Sequence, residues 1–211
     1  LLLITGTVAI FFTELSNPKT FGPMSLGEKL QAAWFHSVTT RTAGFNTVDI
    51  GAMVTATLFI TIALMLVGGS PGGTAGGVKT TTLRVLTSCT GAILQQKEKV
   101  TIYERQVPFS LILKAVGVVV GSVAMVLIST TLIAITDPGI DFIRVLLEVV
   151  SAFATVGLST GITAALSTPA KLVIIATMYV GRVGVLLLMG GVLGDPRPSA
   201  VRYPEENMLV G

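Results

Sequence analysis

Thr42-Ala43-Gly44-Phe45 and Thr155-Val156-Gly157-Leu158 lie 113 residues apart, and their Thr and Gly coincide when the chain is slid over itself at that offset. Thr47 and Thr160 coincide just beyond them. Glycine in such a loop reaches dihedrals that turn successive carbonyls toward one axis, and it leaves no side chain in the hole. Rings of carbonyl oxygens of this kind replace the hydration shell of a cation. The chemistry on offer is therefore ion dehydration by main-chain oxygen. Acid–base and nucleophilic chemistry is poorly provided for: the single histidine, His36, and the single cysteine, Cys89, exclude a His-based metal cluster and an intramolecular disulfide and argue against a Ser–His hydrolase.

The elements that must position these loops can be read from hydropathy. Half of the 211 residues are hydrophobic (51%) and 12% are charged, with a mean hydropathy of +0.82. A soluble domain carries about 25% charged residues, so the chain belongs in a bilayer. Residues 115–135 form an uncharged run between Lys114 and Asp137, long enough to span a hydrocarbon core of about 30 Å. Residues 50–78 are also uncharged but contain a glycine-rich break, residues 172–194 carry one central charge, Arg182, and residues 1–13 are apolar but too short to span alone. Before each Thr-x-Gly stretch lies a short amphipathic segment, 26–40 and 140–154, of a length suited to re-entrant helices.

Each half thus reads as span, short helix, Thr-x-Gly loop, span. Irregular backbone at membrane depth is tolerated only where it is buried in protein or lines a water-filled path, so the loops are expected to line one. A short helix ending at each loop aims its negative dipole end inward, which favours a cation. The fold class expected is an all-α membrane protein of two tandem repeats of this kind, arranged as in a K+ channel. Lys79, Arg84, Lys97, Lys99, Arg105 and Lys114 place the central connection in the cytoplasm. The opposite connections are acidic, with Glu14, Glu28, Asp49, Asp137, Asp141 and Glu148, and suit an outer vestibule that concentrates cations.

The break itself reads Gly68-Gly69-Ser70-Pro71-Gly72-Gly73-Thr74-Ala75-Gly76-Gly77. Such a flexible, side-chain-poor segment midway along a pore-lining helix suits a gate below the filter; the alternative is a plain kink. Gly72 and Gly77 followed by Lys79-Thr80 resemble a phosphate-binding loop, but Val78 interrupts the required Gly-Lys succession and an apolar span stands where a soluble strand is expected. A guanidinium at mid-span costs at least ~2.5 kcal/mol. Arg182 is therefore expected to face the interior, donate to carbonyls of the 68–77 loop and oppose cations below the filter; snorkelling to the interface is its alternative.

The stretches 37–47, 68–77, 153–160 and the ending 202–207 together resemble the membrane subunit of Ktr-type potassium uptake systems, in the Trk/Ktr/HKT superfamily. The resemblance covers essentially the whole chain. It implies four such repeats around one pore, of which this chain is similar to the third and fourth: residues 1–97 as the third, 98–109 as a cytoplasmic connection, 110–195 as the fourth and 196–211 as a cytoplasmic tail. An N-terminally truncated piece is the expectation. The resemblance further implies K+ as the transported ion, Na+ as a candidate activator, no organic cofactor, a homodimer in the plasma membrane, and a cytosolic nucleotide-binding ring subunit as partner. Nucleic acid is not an expected partner, and the chain is expected not to be an enzyme.

Three alternatives are carried: a Na+-permeable or Na+/K+ transporter of the same superfamily, a coupled secondary transporter, and a membrane-embedded phosphate-loop NTPase. Coupled transporters use inverted repeats and acidic midplane ligands, whereas these repeats run in one orientation. His36 is read as a packed or hydrogen-bonded residue, Gly117 and Gly121 as a helix-packing surface, and Arg144 with Glu148 as an i, i+4 pair.

Overall fold

The structure is a computed structural model that describes residues 2–73, 75–97, 99–185, 187 and 190. Among these the chain forms seven α-helices: α1 (Leu2–Glu14), α2 (Leu26–Thr39), α3 (Thr55–Leu66), α4 (Thr80–Leu94), α5 (Phe109–Thr136), α6 (Phe142–Phe153) and α7 (Thr168–Val183).

Their ends follow local chemistry. At the start of α2, Glu28 reaches back to accept the Ser25 backbone N–H at 2.7 Å, half of a capping box. Ser167 caps α7 by accepting from Ala170 N, with Pro169 in the first turn. The apolar run from residue 50 is broken, as its glycines require: α3 stops at Leu66 and α4 resumes at Thr80. Gly184, at φ 90°, is the C-cap of α7, and residues 186, 188, 189 and 191–194 of the expected segment at 172–194 lie outside the described residues.

The all-α expectation is amended in the connection at 98–109. There β1 (Thr101–Ile102) pairs antiparallel with β2 (Arg105–Gln106). Tyr103 and Glu104 make the two-residue turn at φ 49° and 64°, the left-handed pair that a tight hairpin demands. The Arg84 guanidinium lies 5.9 Å from the centre of the Tyr103 ring, a cation–π contact that sequence periodicity does not encode.

Among the described residues α5 is the helix long and apolar enough to cross a membrane; α1 and α3 are shorter apolar helices. One side of α5 leaves Val116, Val120, Val123 and Leu127 exposed, a surface suited to lipid. The opposite side packs on α6 and α7, while α1 packs on α2 and α3, and α3 on α6. The innermost element is α6, where all of residues 147–153 are buried. A helix covered all round in this way delivers the loop that follows it to the centre of the molecule.

Candidate functional site

Both Thr-x-Gly loops leave the C-terminus of a short helix and adopt the same unusual backbone. Thr42 and Thr155 stand at φ 70° and 54°, Gly44 and Gly157 at 78° and 96°. A β-branched residue in the left-handed region is strained, so surrounding bonds must hold it. Ala43 N and Gly44 N donate back to Thr39 O at 3.1 and 3.4 Å, and Val156 N and Thr155 N to Ser151 O and Ala152 O at 2.9 and 3.1 Å. The loop amides are thereby turned toward the helices. Phe45 O is taken by the Thr39 hydroxyl at 2.6 Å. Among the described residues the carbonyls of Thr42, Ala43, Gly44, Thr155, Val156, Gly157 and Leu158 accept no hydrogen bond.

The two loops touch through their glycines. A Cβ added to Gly44 would collide with Val156 O and sit 3.4 Å from Gly157 Cα, and one added to Gly157 would sit 3.6 Å from Gly44 Cα. Two stretches far apart in sequence therefore meet, main chain to main chain, at positions that only glycine fits. A cavity of about 290 Å³ borders the second loop from Thr155 to Ser159.

Buried carboxylates fix the outer ends of this arrangement. Glu148 on α6 accepts from Ser159 Oγ at 2.6 Å and Thr160 N at 2.9 Å through Oε1, and from Thr163 Oγ1 at 2.9 Å through Oε2. The expected Arg144–Glu148 pair is thus replaced: the carboxylate turns to the loop, and Arg144 Nη2 donates to Gly51 O at 3.4 Å. Glu14, fully buried at the end of α1, accepts from Asn17 Nδ2 at 2.7 Å, Thr20 Oγ1 at 2.5 Å and Val54 N at 2.9 Å. Both carboxylates tie down loops instead of standing free in a vestibule. His36 is buried, with Nε2 3.0 Å from Thr61 Oγ1, in keeping with its reading as a hydrogen-bonded residue.

The glycine-rich break folds into a loop pinched at its neck. Gly68 N donates to Val78 O at 2.8 Å, Val78 N to Leu66 O at 3.2 Å and Thr80 N to Gly69 O at 3.3 Å. Ser70, Pro71, Gly72 and Gly73 form an exposed turn, with Gly72 at φ 88° and Gly73 N donating to Ser70 O at 3.4 Å. Thr74 lies outside the described residues. Ala75 and Gly76 return to a buried position, and Gly76 N donates to Thr155 Oγ1 at 2.9 Å. Gly77, at φ 69°, faces Ala154, whose Cβ lies 3.2 Å from where its own Cβ would be. The loop thus lies against the start of the second Thr-x-Gly stretch.

Among the described residues, Arg41 Nη1 donates to Val67 O at the neck of this loop and Lys79 Nζ to Ala75 O within it. Arg182, to which the sequence reading gives such a role, sits exposed in the last turn of α7. Arg41 went unassigned in that reading, although the signal was present: it is the lone charge between Lys29 and Asp49, and a charge at membrane depth marks a functional position.

Comparison with known proteins gives the family of the chain. The profile of TrkH, a family described as cation transport proteins, matches residues 1–189. The chain belongs to the TrkH family. Within it, this TrkH-family chain is 39% identical over 211 residues to Ktr system potassium uptake protein B of Vibrio alginolyticus, covering all of this chain and 46% of that protein. It is 36% identical to the protein of the same name from Bacillus subtilis (strain 168), covering all of this chain and 48% of that one. With the potassium/sodium uptake protein NtpJ of Enterococcus hirae the identity is 35%, again over all of this chain and 48% of the relative. The chain therefore spans about half the length of these relatives. The solved structure of the potassium transporter TrkH from Vibrio parahaemolyticus superposes with a TM-score of 0.74 at 20% identity, over 92% of this chain and 42% of that one. That likeness establishes a shared, mostly helical membrane-protein fold.

Proposed function

We propose that this TrkH-family chain supplies two filter loops and the gate of a potassium uptake pore in the plasma membrane. In this reading residues 1–97 and 110–195 are two tandem repeats of an expected four, joined by a cytoplasmic connection at 98–109 and followed by a cytoplasmic tail at 196–211. The observation that carries it is the contact of Gly44 with Val156 and Gly157, at the ends of two short helices, beside loop carbonyls that accept no bond among the described residues. Such carbonyls substitute for water around a dehydrated ion, and the two helix C-termini add negative potential there.

Further support comes from the asymmetry of the short helices. Where residues 147–153 of α6 are all buried, α2 leaves Leu30, Trp34 and Val38 exposed at 56%, 48% and 37%. These sit at i, i+4 and i+8, one helical stripe, on which a further repeat would pack. The relatives named as potassium uptake proteins favour K+ as the ion. NtpJ, named for potassium and sodium, motivates Na+ permeation as the second reading. The loop at 68–77, with Arg182, is the proposed gate. It issues from helix α3 and packs on Ala154 and Thr155, a setting unlike the strand-borne loop of an NTPase. The chain acts as a transporter, not an enzyme, within a homodimer of full-length subunits regulated by a cytosolic nucleotide-binding ring, with Na+ as activator.

The test uses the full-length transporter in cells that lack other K+ uptake. Gly44→Ser and Gly157→Ser each add a side chain to the loop contact, and each is expected to lower Rb+ uptake and weaken its discrimination against Na+. Uptake and discrimination that stay at the wild-type level in both variants would discard the filter assignment.

A further inference from the structure

Besides the Lys79–Ala75 bond, two ties among the described residues hold the glycine-rich loop and its neck, one from the residue before the first Thr-x-Gly hairpin and one from the first residue of the second. Where α3 ends, Val67 O receives the Arg41 guanidinium, and Arg41 directly precedes Thr42. Where the loop returns, Gly76 N donates to the hydroxyl of Thr155, the first residue of the second hairpin. We propose that Arg41 and Thr155 form a two-point latch that holds the loop closed beneath the filter, so that the filter hairpins themselves set how readily the gate opens. This rests on the reading of 42–45 and 155–158 as filter and of 68–77 as gate.

The fit at the Thr155 end is close. A Cβ on Gly76 would sit 2.8 Å from Thr155 Oγ1 and 2.9 Å from its Cγ2, so the donor reaches the hydroxyl only because residue 76 has no side chain. Thr155 is itself held at φ 54°, which aims its hydroxyl at a fixed place, and Gly76 is buried there while the turn at 70–73 is exposed. Six of the ten residues from 68 to 77 are glycine, and glycine gains more freedom on release than any other residue. Against that entropy, the neutral tie of Thr155 changes the closed-to-open ratio by about threefold to tenfold and the charged tie of Arg41 by about tenfold or more. At the other end, Arg41 Nη2 is buried and has no partner among the described residues. Loss of the bond to Val67 O would leave both amino groups of the Arg41 guanidinium unpaired, which favours keeping that bond. Arg41 is a positioning residue in this scheme, acting through the loop and not on the ion.

The experiment follows loop position separately from ion flux. In the full-length transporter, with Cys89→Ser and other cysteines replaced, Ala75→Cys is introduced into the buried part of the loop. Its reaction rate with a membrane-impermeant methanethiosulfonate is then measured from the cytoplasmic side. Thr155→Val is expected to speed labelling about threefold to tenfold and Arg41→Gln about tenfold or more. Thr155→Ser, which keeps the oxygen, should restore the parent rate. Gly76→Ala should match Thr155→Val, and the two together should add nothing to either alone. Unchanged labelling in Thr155→Val, or labelling of Thr155→Ser as fast as that of Thr155→Val, overturns the latch. If Arg41→Gln does not reach the membrane, the Thr155 and Gly76 series decides by itself. Rb+/Na+ discrimination in Gly44→Ser and Gly157→Ser reports on the filter independently; labelling that responds as expected while discrimination survives keeps the latch and discards the filter.

Discussion

Asp137 holds Ser167 at two points: Oδ1 accepts its backbone N–H at 3.1 Å and Oδ2 its hydroxyl at 2.7 Å. Ser167 is the N-cap of α7, so the carboxylate at the end of α5 fixes where α7 begins. Val54, the N-cap of α3, lies 113 residues before Ser167 and donates its N–H to Glu14 at the end of α1. The same mechanical connection is thus made twice, with Glu in one case and Asp in the other.

The bond from Ser167, with help from Thr136 and Lys171, holds the Asp137 carboxyl below the usual carboxylate range. Because the folded value is the lower one, its stabilising contribution is complete at neutral pH and is lost as pH falls through that folded value. Asp137→Asn is expected to lower the melting temperature of the purified full-length protein at neutral pH. The gap should close under strongly acid conditions. A gap that widens on acidification would reverse the assignment.

Glu14 accepts from three donors in a fully buried site. Glu14→Ala would orphan them, at about 1–3 kcal/mol for each buried donor left unpaired. Most of the protein is expected to be lost from the monodisperse peak in detergent size-exclusion chromatography, with Glu14→Gln intermediate.

In the proposed reading Glu148 bears on transport more than on folding, since its partners Ser159 and Thr160 directly follow the loop proposed as the second filter. Glu148→Gln is expected to assemble but to show about tenfold lower Rb+ uptake, by loss of roughly one charge-assisted hydrogen bond. Competition by Na+ should rise in parallel.

Gly181 on α7 lies against the end of α6. A Cβ there would overlap Phe153 O and approach Phe153 Cα to 2.9 Å. Backbone cannot rotate aside as a side chain can, so Gly181→Ala is expected to cost about 1–3 kcal/mol and to lower thermal stability by more than Gly91→Ala. Gly91 is the control, because its added Cβ would meet nothing within 4 Å.

Much of this was legible in the chain. The uncharged run at 115–135 became the core of α5, the glycine-rich break fell between α3 and α4, and the segments at 26–40 and 140–154 became α2 and α6. All of these depend on neighbours within a turn or two, where hydropathy, capping and glycine content act directly. The hairpin at 101–106 escaped notice because Tyr103 and Glu104 carry none of the usual turn signals. The exchange of partners by Glu148 escaped because i, i+4 spacing shows only that two side chains can meet, not that no better partner comes from another element.

The sequence by itself determined the bilayer as solvent, the duplicated Thr-x-Gly stretches and the place where the apolar run must break, since these follow from composition and local backbone freedom. Only the tertiary structure decided which polar groups are paired. Gly76 and Thr155 are 79 residues apart, and Glu14 and Val54 are 40 apart. Such partners are chosen by the packing of helices that bring them within hydrogen-bond reach, and by the cost of leaving any of them buried and unmatched.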